Sequence, residues 1–385
     1  MSTVLFDLYE SQPAGLSKFH GGGEYIKSIF KNLVTNYSAG NTIIVYFNYE
    51  KFLDDWVLEL IDQYHIKKYD IRDRKEITKI FNQEKIDVFF SGIPYHYSRE
   101  YIPKNVVFKG TIHGLRTIEM PSDKYAHLYC DFPKSAKETI KRFLHKSYRK
   151  KEINKFQACM TMLDEIITDS EHSKYSIVQK YPDISPDQIQ VFYAPPKNTP
   201  KLELPAIEEK FILLLGGDRW VKNTYRAIQA LEKLFAANQL EGYSVYVVGN
   251  INKKIKRRIK NISRYKIFGY VESTELEKMY QSCCLFFYPS LNEGFGLPPL
   301  EAMRYGKTCI VSGICSLPEI CGAAVYYVNP NDIDEMALRI LCAIDHPIKE
   351  DDIIKQFTHI ESKQKSDNDE ICKFIVDSGS SSRRD

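Results

Sequence analysis

The chain has 385 residues, of which 43% are apolar and 27% are charged, and its formal net charge at pH 7 is +3. This composition is typical of a globular protein, and the length favours two domains, each large enough to bury its own core. Because there is no run of about 18 apolar residues and no basic flank followed by a long apolar stretch at the start, we expect no spanning helix, no signal peptide and a cytoplasmic location.

The N-terminal half alternates strand-like and helix-like segments. The first strand candidate, residues 4–10, leads through a loop that ends in Gly21, Gly22 and Gly23 to an amphipathic helix. Three glycines before a helix can form a backbone cradle for a phosphate or an acceptor, although an ordinary loop explains them equally well. Further strand candidates lie at residues 42–47, 87–92 and 106–114. This alternation is typical of α/β proteins with a doubly wound parallel sheet.

A histidine, His113, lies at the end of the strand candidate at residues 106–114. Doubly wound sheets bind ligands at the carboxyl ends of their strands, so this position is one where a ligand-binding side chain is expected. A single histidine is more often structural than functional. The residues alone therefore leave both interpretations open.

Residues 133–156 contain nine basic residues and only two acidic ones. Ile140, Phe143 and Leu144 are interspersed among them, which predicts a basic amphipathic helix. Such a helix can lie on an anionic membrane surface, and the protein would then make peripheral contact with the inner face of the membrane. It can equally be a solvated helix whose lysine and arginine stems pack on apolar neighbours. The sequence leaves these two interpretations open.

The end of the N-terminal domain is marked by a change in composition. Residues 166–177 are predicted to form a strand followed by a helix with Ser170 at its N-cap, and residues 189–196 form the last strand of the domain. A proline-rich run from Pro195 to Pro205 indicates a linker. We therefore assign residues 1–195 to an N-terminal domain, 196–206 to the linker, 207–345 to a C-terminal domain, 346–376 to a helical segment and 377–385 to a disordered tail.

The C-terminal domain opens with a buried strand candidate, FILLL, that runs into Gly216 and Gly217. Arg219 and Lys222 follow, three residues apart, immediately before an amphipathic helix. An arginine fork and a lysine point charge beside a helix N-terminus are suited to binding a diphosphate. A pair of ordinary surface charges is the alternative.

A second basic run, at residues 250–266, contains eight lysines and arginines and no acidic residue. Such a patch can bind nucleic acid, but no nucleic-acid-binding motif accompanies it. A solvated helix or a membrane-facing surface explains the charges more simply. We therefore expect no nucleic-acid partner.

The stretch at residues 290–310, SLNEGFGLPPLEAMRYGKTCI, combines a glycine-containing turn with the start of a helix. Gly294 and Gly296 allow a ligand to approach the backbone, and the N–H groups at the start of the helix attract anions. Glu293 lies in the loop and Glu301 in the first turn of the helix, so both carboxylates can face one pocket and accept hydrogen bonds from hydroxyl groups. Paired acceptors beside an anion site indicate a sugar nucleotide as the ligand.

The string E-G-F-G-L-P-P-L-E, at residues 293–301, resembles the signature of retaining GT-B glycosyltransferases, and particularly of glycosyltransferase family 4, the glycosyl transferases group 1. The G-x-x-x-x-x-K-N spacing at residues 216–223 resembles the diphosphate motif of the same family. The resemblance implies an α/β architecture of the GT-B type. Two Rossmann-like domains, each with a doubly wound parallel sheet, then face a cleft, and the final helix crosses back onto the N-terminal domain.

The resemblance also implies roles for individual residues. Arg219 and Lys222 stabilise the leaving diphosphate. Glu301 holds the ribose hydroxyls, Glu293 holds the donor sugar, and His113 contacts that sugar. The catalytic residues are thus expected to be His113, Arg219, Lys222 and Glu293. The expected donor-binding residues are Gly21, Gly22, Gly23, Gly217, Arg219, Lys222, Tyr270, Gly294, Phe295, Gly296, Leu297 and Glu301.

The activity implied by the resemblance is retaining transfer of a sugar from a nucleoside-diphosphate sugar to a hydroxyl of a glycan or lipid-linked glycan in cell-surface polysaccharide biosynthesis. No D-x-D motif ends a strand in a donor-binding context, so we expect no metal ion and no other cofactor. A sugar-nucleotide epimerase or a phosphorylase-like enzyme on the same scaffold is one alternative. A non-catalytic partner subunit is another.

Overall fold

The computed structural model describes residues 1–13, 20–197 and 203–378, which form two compact units. The first unit takes its described residues from the ranges Met1–Leu115, Ile153–Asn198 and Ser362–Asp385. The second takes its described residues from Arg116–Glu152 and Thr199–Glu361. The middle of the predicted linker and nearly all of the predicted tail lie outside the described residues.

The first unit contains a seven-stranded parallel sheet. Its strands are β1 (Thr3–Asp7), β2 (Thr42–Phe47), β3 (Lys67–Asp70), β4 (Val88–Ser91), β5 (Val107–Thr111), β6 (Glu165–Thr168) and β7 (Ile189–Val191). They lie in the order β3-β2-β1-β4-β5-β6-β7. Val4, Leu5 and Phe6 of β1 expose no surface, as expected for a central strand of a parallel sheet that is covered on both faces.

The second unit contains a six-stranded parallel sheet. Its strands are β8 (Phe211–Leu215), β9 (Ser244–Val248), β10 (Tyr265–Phe268), β11 (Leu285–Tyr288), β12 (Cys309–Ser312) and β13 (Tyr326–Val328). They lie in the order β10-β9-β8-β11-β12-β13. The apolar string FILLL forms the buried strand β8, as predicted.

Helices alternate with the strands, as predicted for an α/β chain. They are α1 (Gly21–Tyr37), α2 (Asp55–Gln63), α3 (Ile77–Gln83), α4 (Arg116–Glu119), α5 (Lys134–Phe143), α6 (His145–Met162), α7 (Glu171–Lys180), α8 (Thr224–Ala236), α9 (Lys253–Lys256), α10 (Ser273–Ser282), α11 (Leu297–Met303), α12 (Leu317–Cys321), α13 (Ile333–Asp345) and α14 (Glu350–Val376). Within the described ranges, none of these helices has the length and apolar character needed to cross a bilayer.

In both sheets the strand order reverses next to the first strand of the sheet. β1 lies between β2 and β4, and β8 lies between β9 and β11. In open α/β sheets, ligands bind beyond the carboxyl ends of the strands at the point where the strand order reverses. In the second unit this point is defined by the loops that follow Leu215 and Tyr288, and these loops carry most of the site residues predicted in this unit.

Residues 116–152 belong to the second unit, although the sequence places them inside the predicted N-terminal domain 1–195. Long-range contacts explain the difference. Asp123 pairs with Arg226 of α8 at 2.7 Å, with both side chains less than 10% exposed, and the Tyr129 hydroxyl accepts a hydrogen bond from the Tyr225 N–H at 2.7 Å. Leu128 lies in the apolar core of this unit. Such contacts between distant residues cannot be recognised from local composition.

Several local predictions need correction. Gly21, Gly22 and Gly23 form the first turn of α1 rather than a loop, and the His20 ring accepts a hydrogen bond from the Gly23 N–H at its N-cap. The first strand ends at Asp7 instead of continuing to residue 10. The basic segment forms two helices, α5 and α6, because the chain leaves helical geometry at Leu144.

The predicted C-terminal helical segment is one helix of 27 residues, α14, which ends at Val376 as predicted. Its last part belongs to the first unit, as the resemblance implies. There, Gln364 donates a hydrogen bond to the Ala194 carbonyl at 2.6 Å, and the Asp367 carboxylate accepts one from the Tyr193 N–H at 2.7 Å. The end of the predicted N-terminal domain is thus tied to a helix that the sequence places far away.

Candidate functional site

The loop after β8 depends on two glycines. Gly216 has a φ of +77°, and a Cβ added there would lie 2.5 Å from Cγ of Lys222. A Cβ at Gly217 would lie 2.5 Å from the carbonyl oxygen of Gly249, which follows the neighbouring strand β9. Glycine is therefore required at both positions. At Gly216 it leaves room for the Lys222 side chain, and at Gly217 it allows two backbone segments to approach closely.

Lys222 forms a buried ion pair with Glu293, which follows β11. Lys222 Nζ lies 2.7 Å from Glu293 Oε1, and each side chain is 12% exposed. The hydroxyls of Tyr288 and Ser290 donate to the same carboxylate oxygen at 2.8 and 2.6 Å, and Lys222 also donates to the Tyr288 hydroxyl. Because a buried charge is costly unless it is paired, this network holds the lysine in one position between β8 and β11.

Among the described residues, the hydrogen bonds to Glu293 reach only one of its two carboxylate oxygens. Those formed by Lys222, Tyr288 and Ser290 all reach Oε1. Within the described residues, no hydrogen bond reaches Oε2, which therefore keeps its capacity as an acceptor. One oxygen of Glu293 positions the lysine, and the other can receive a hydroxyl group.

Positive charge is concentrated around this ion pair. Burial lowers the pKa of Lys222, the Glu293 carboxylate opposes this, and the charges of Arg219 and Arg116 lower the pKa further. Burial alone would raise the pKa of Glu293, but Lys222 and the hydroxyl donors bring the pKa below its ordinary value. Three cations thus lie near one carboxylate, an arrangement suited to an anion with more than one negative charge, such as a diphosphate.

Arg116 was not among the predicted site residues. It begins α4, whose Glu119 accepts a hydrogen bond from Asn292 at 2.6 Å, so α4 is tied to the loop that carries Glu293. No motif surrounds Arg116 in the sequence, and its position depends on the long-range contacts of residues 116–152. Arg219, which was predicted, is exposed and precedes Lys222 in the same loop.

The loop between β11 and α11 is fixed by contacts with the start of α12. Gly296 has a φ of +119°, and a Cβ there would lie 2.7 Å from Cδ2 of Leu317. The Ser316 hydroxyl is within hydrogen-bond distance of the carbonyl oxygens of Phe295 and Glu293, at 2.7 and 3.1 Å. This loop therefore places Glu293 and the predicted residues at positions 294–297 at the carboxyl edge of the sheet.

Glu301 lies in the second turn of α11 rather than in the first. Its Oε2 accepts a hydrogen bond from the buried Tyr280 hydroxyl at 2.8 Å. Burial raises the pKa of Tyr288, and the charges of Glu293 and Glu301 both raise it further. The two glutamates of the predicted signature are thus brought near the same tyrosine.

Tyr270 follows β10, at the same carboxyl edge of the second sheet as Gly217 and Glu293. It is 72% exposed. The carbonyl of the preceding Gly269 accepts a hydrogen bond from the Gly249 N–H at 3.3 Å, which links the loops after β9 and β10. The structure therefore gathers the predicted donor-binding residues of the second unit along one edge.

His113 belongs to the first unit, where it follows β5. Its Nδ1 lies 2.6 Å from Asp169 Oδ2, and its Nε2 lies 3.0 Å from the Gly92 carbonyl oxygen. A carboxylate and a carbonyl only accept, so the doubly protonated ring is the form that can donate to both. Burial lowers the pKa of His113, but the Asp169 charge and these hydrogen bonds raise it overall. Because these contacts favour the protonated ring, they oppose a role for His113 as a general base.

The three glycines of α1 also belong to the first unit, and two of them have a packing explanation. A Cβ at Gly22 would lie 2.7 Å from Cδ1 of Ile93, and one at Gly23 would lie 2.7 Å from the carbonyl oxygen of Ser11. At Gly21 an added Cβ would meet no atom within 4 Å. Close packing therefore accounts for Gly22 and Gly23, and their predicted contact with the donor stays a prediction.

Comparison with known proteins relates this geometry to a family. The family described as glycosyl transferases group 1 matches residues 198–359. Residues 198–359, less than half of the chain, therefore resemble the glycosyl transferases group 1. The matched range contains the glycine loop, the Lys222–Glu293 ion pair and Glu301, but neither Arg116 nor His113.

Among characterised relatives, the serotype-specific mannosyltransferase WbdA of Escherichia coli is 35% identical over 138 residues, which are 34% of this chain and 17% of the relative. The O-antigen chain mannosyltransferase B of Escherichia coli is 43% identical over 76 residues, which are 20% of each protein. These alignments therefore cover only a fifth or less of the length of either relative.

Two solved structures resemble nearly the whole chain. HepE of Anabaena, in complex with UDP and glucose, has a TM-score of 0.68 at 14% identity and covers 97% of this chain and 99% of its own. A glycosyltransferase of Rickettsia africae has a TM-score of 0.65 at 18% identity and covers 98% and 99%. At such identities the likeness concerns the fold, and it confirms the predicted GT-B fold with two Rossmann-like domains.

Proposed function

We propose that this protein is a retaining glycosyltransferase that transfers a sugar, most simply mannose, from a nucleoside diphosphate to a hydroxyl of a glycan or lipid-linked glycan. The observation that carries the proposal is the buried Lys222–Glu293 pair, surrounded by further cations where the strand order of the second sheet reverses. The mannosyltransferase relatives support the sugar and a role in cell-surface polysaccharide synthesis. The UDP and glucose bound to HepE support a nucleotide-sugar donor.

In the proposed complex the diphosphate lies against the three cations. Arg219 can bind phosphate oxygens through its fork, Lys222 adds a point charge, and Arg116 contributes a third positive charge. Glu301 accepts hydrogen bonds from the ribose. Glu293 uses Oε1 to position Lys222 and Oε2 to accept from a hydroxyl of the donor sugar.

The proposed chemistry breaks the bond between the anomeric carbon and the phosphate oxygen and forms a bond from that carbon to the acceptor oxygen on the same face. The departing phosphate takes the acceptor's proton, so no side-chain base is required. Negative charge that develops on the leaving group meets preorganised cations, which is usually the largest catalytic contribution. In this proposal the cations of the protein take the place of a metal ion.

Donor identity can be tested by thermal shift. A ligand that binds the folded state raises its apparent stability by mass action. GDP-mannose should stabilise the protein more than UDP-, ADP- or dTDP-sugars if the relatives indicate the donor correctly. If none of the sugar nucleotides stabilised the protein and no sugar transfer was observed, the proposal of a donor site would be refuted.

The roles of the cations can be tested by substitution. Arg219 is exposed, so Arg219→Ala should fold normally, and it should lower kcat/KM by the equivalent of about 2–4 kcal/mol because a transition-state contact is lost. Arg264→Ala, which removes an exposed arginine elsewhere on the second unit, is the matched control. Equal kinetics in the two variants would contradict the role of Arg219.

Lys222 needs a different design because its removal leaves Glu293 buried without a counter-ion. Lys222→Met should therefore destabilise the fold by about 3–5 kcal/mol. Adding Glu293→Gln removes the unpaired charge and should restore much of that stability without restoring turnover. Recovery of turnover in the double variant would show that Lys222 is only structural.

The alternative functions predict different products. An epimerase or a phosphorylase-like enzyme would consume the donor without a glycan acceptor, the latter with inorganic phosphate as co-substrate. A non-catalytic subunit would not turn over any donor when isolated. Product analysis with and without acceptor distinguishes all three.

A further inference from the structure

Helix α5 exposes an apolar stripe. Ile140, Phe143 and Leu144 share one side of the helix by their spacing, and Phe132 lies just before it. Their exposed fractions are 58%, 78% and 58%, and that of Phe132 is 82%. A cluster of large exposed apolar side chains costs solubility and marks an interaction surface.

A basic stripe runs beside the apolar one. Lys134, Lys137 and Lys141 follow one another at helical spacing on the adjacent flank of α5. None of them forms an ion pair among the described residues. The ammonium of Lys141 lies 4.3 Å from the ring centre of Tyr148. The basic and apolar stripes thus lie side by side on α5.

The second basic run of the sequence lies next to this helix. Lys254 donates to the carbonyl oxygens of Cys130 and His127, at 2.9 and 3.4 Å, and Asn252 donates to the Asp131 carboxylate at 3.2 Å. These contacts place α9 beside the residues that lead into α5. The exposed basic residues of α9 and the turn after it are Lys253, Lys256, Arg257 and Arg258. Two basic segments far apart in sequence thus form one surface.

The surface as a whole is strongly cationic. Residues 131–152 contain eight basic and three acidic residues, and residues 253–260 contain six basic and no acidic ones. One of the three acids, Asp131, already accepts the hydrogen bond from Asn252. The apolar stripe is therefore flanked by many basic residues and few acidic residues that could neutralise them.

We propose that residues 132–144 and 253–258 together form a docking surface for an anionic lipid bilayer. Phe132, Ile140, Phe143 and Leu144 enter the headgroup region, and the flanking lysines and arginines bind lipid phosphates. A nucleic acid would complement the charges but would leave the apolar stripe in water. A lipid surface complements both, and it would place the enzyme where a lipid-linked acceptor is found.

Vesicle binding by the purified full chain tests the proposal. The protein should sediment with vesicles of phosphatidylcholine mixed with phosphatidylglycerol, should bind pure phosphatidylcholine weakly, and should lose binding as salt rises. Lys134→Gln with Lys137→Gln should weaken partitioning about 25-fold, from about fivefold for each charge. Phe143→Ala should weaken partitioning about tenfold through lost apolar burial.

Matched controls come from exposed residues elsewhere. Lys85→Gln and Leu338→Ala remove an exposed charge and an exposed apolar side chain outside the docking surface, and both should bind vesicles normally. Salt-independent binding, equal binding to neutral vesicles, or no effect of Phe143→Ala would overturn the proposal. So would concentration-dependent dimerisation that the docking-surface substitutions abolish without any vesicle binding. Because the assay involves no sugar transfer, its failure is distinct from failure of the proposed activity.

Discussion

A single methyl group added at Gly216 should disable the proposed diphosphate site. Gly216 has a φ of +77°, and alanine there adds a Cβ 2.5 Å from Cγ and 2.9 Å from Cβ of Lys222. These atoms belong to the stem of the lysine, so the whole side chain has to leave its position. The displacement separates Lys222 from Glu293 and leaves a buried carboxylate without its cation.

The chain offers a control for the backbone contribution. Gly242 has the same φ of +77°, but an added Cβ there meets no atom within 4 Å. Both alanine variants pay about 1–2 kcal/mol for a left-handed backbone. Gly216→Ala additionally leaves Glu293 buried without its counter-ion, at a cost of about 3–5 kcal/mol, so it should be less stable than Gly242→Ala by about that amount.

The measurement can be confined to the second unit. The chain has two tryptophans, Trp56 and Trp220, and Trp220 lies in the same loop as Lys222. In a Trp56→Phe background, urea unfolding followed by tryptophan fluorescence reports on this loop, and calorimetric titration with the nucleotide donor gives its affinity. Gly216→Ala should bind the donor at least about tenfold more weakly than Gly242→Ala. Equal affinities would refute the role of Lys222 as a positioned diphosphate ligand.

Four further outcomes are expected. Glu301→Gln should mainly raise the KM for the donor, whereas Glu293→Gln should mainly lower kcat, and steady-state kinetics with identical defects would contradict these separate roles. Burial and the nearby Glu10 raise the pKa of Asp7 to about 7, so the folded state binds more protons than the unfolded state above about pH 4. Stability should then fall by at most about 1.4 kcal/mol per pH unit up to pH 7, and urea unfolding of Asp7→Asn should lack this slope. The raised pKa of His113 stabilises the fold below about pH 6.5, and this contribution should disappear as the pH rises through the folded pKa, which nitrogen NMR of the ring can follow. Activity should persist in EDTA, and the anomeric proton coupling of the product should show the configuration of the donor.

The central strands were predictable because parallel strands covered on both faces are continuous apolar runs. β8 and β11 stand out in the sequence for this reason. The strand at Lys67–Asp70 was missed because it lies at the sheet edge, pairs only with β2 and exposes most of its charged side chains. An edge strand carries little of the apolar pattern from which strands are predicted.

The candidate site residues that could be predicted are those that one local string holds. Lys222, Glu293 and Glu301 lie in motifs whose spacing is visible in the sequence. Tyr288 was not among the predicted site residues, yet a tyrosine at the end of a buried strand needs a partner for its hydroxyl, and this was the available signal. No sequence feature indicated Arg116, because its place in the candidate site follows from contacts that connect distant parts of the chain.

In the proposed diphosphate site, the Lys222–Glu293 ion pair resolves a physical conflict. Cations that bind a departing diphosphate strongly must also remain in place when the ligand leaves, and mutual repulsion among Lys222, Arg219 and Arg116 opposes this. Glu293 neutralises one of these charges through a single oxygen, and in the proposed complex its other oxygen accepts from the sugar. The same carboxylate can therefore keep the empty site stable and orient the donor in the full one. For this reason we expect substitutions of Glu293 to affect stability and turnover together, whereas substitutions of the exposed Arg219 affect turnover alone.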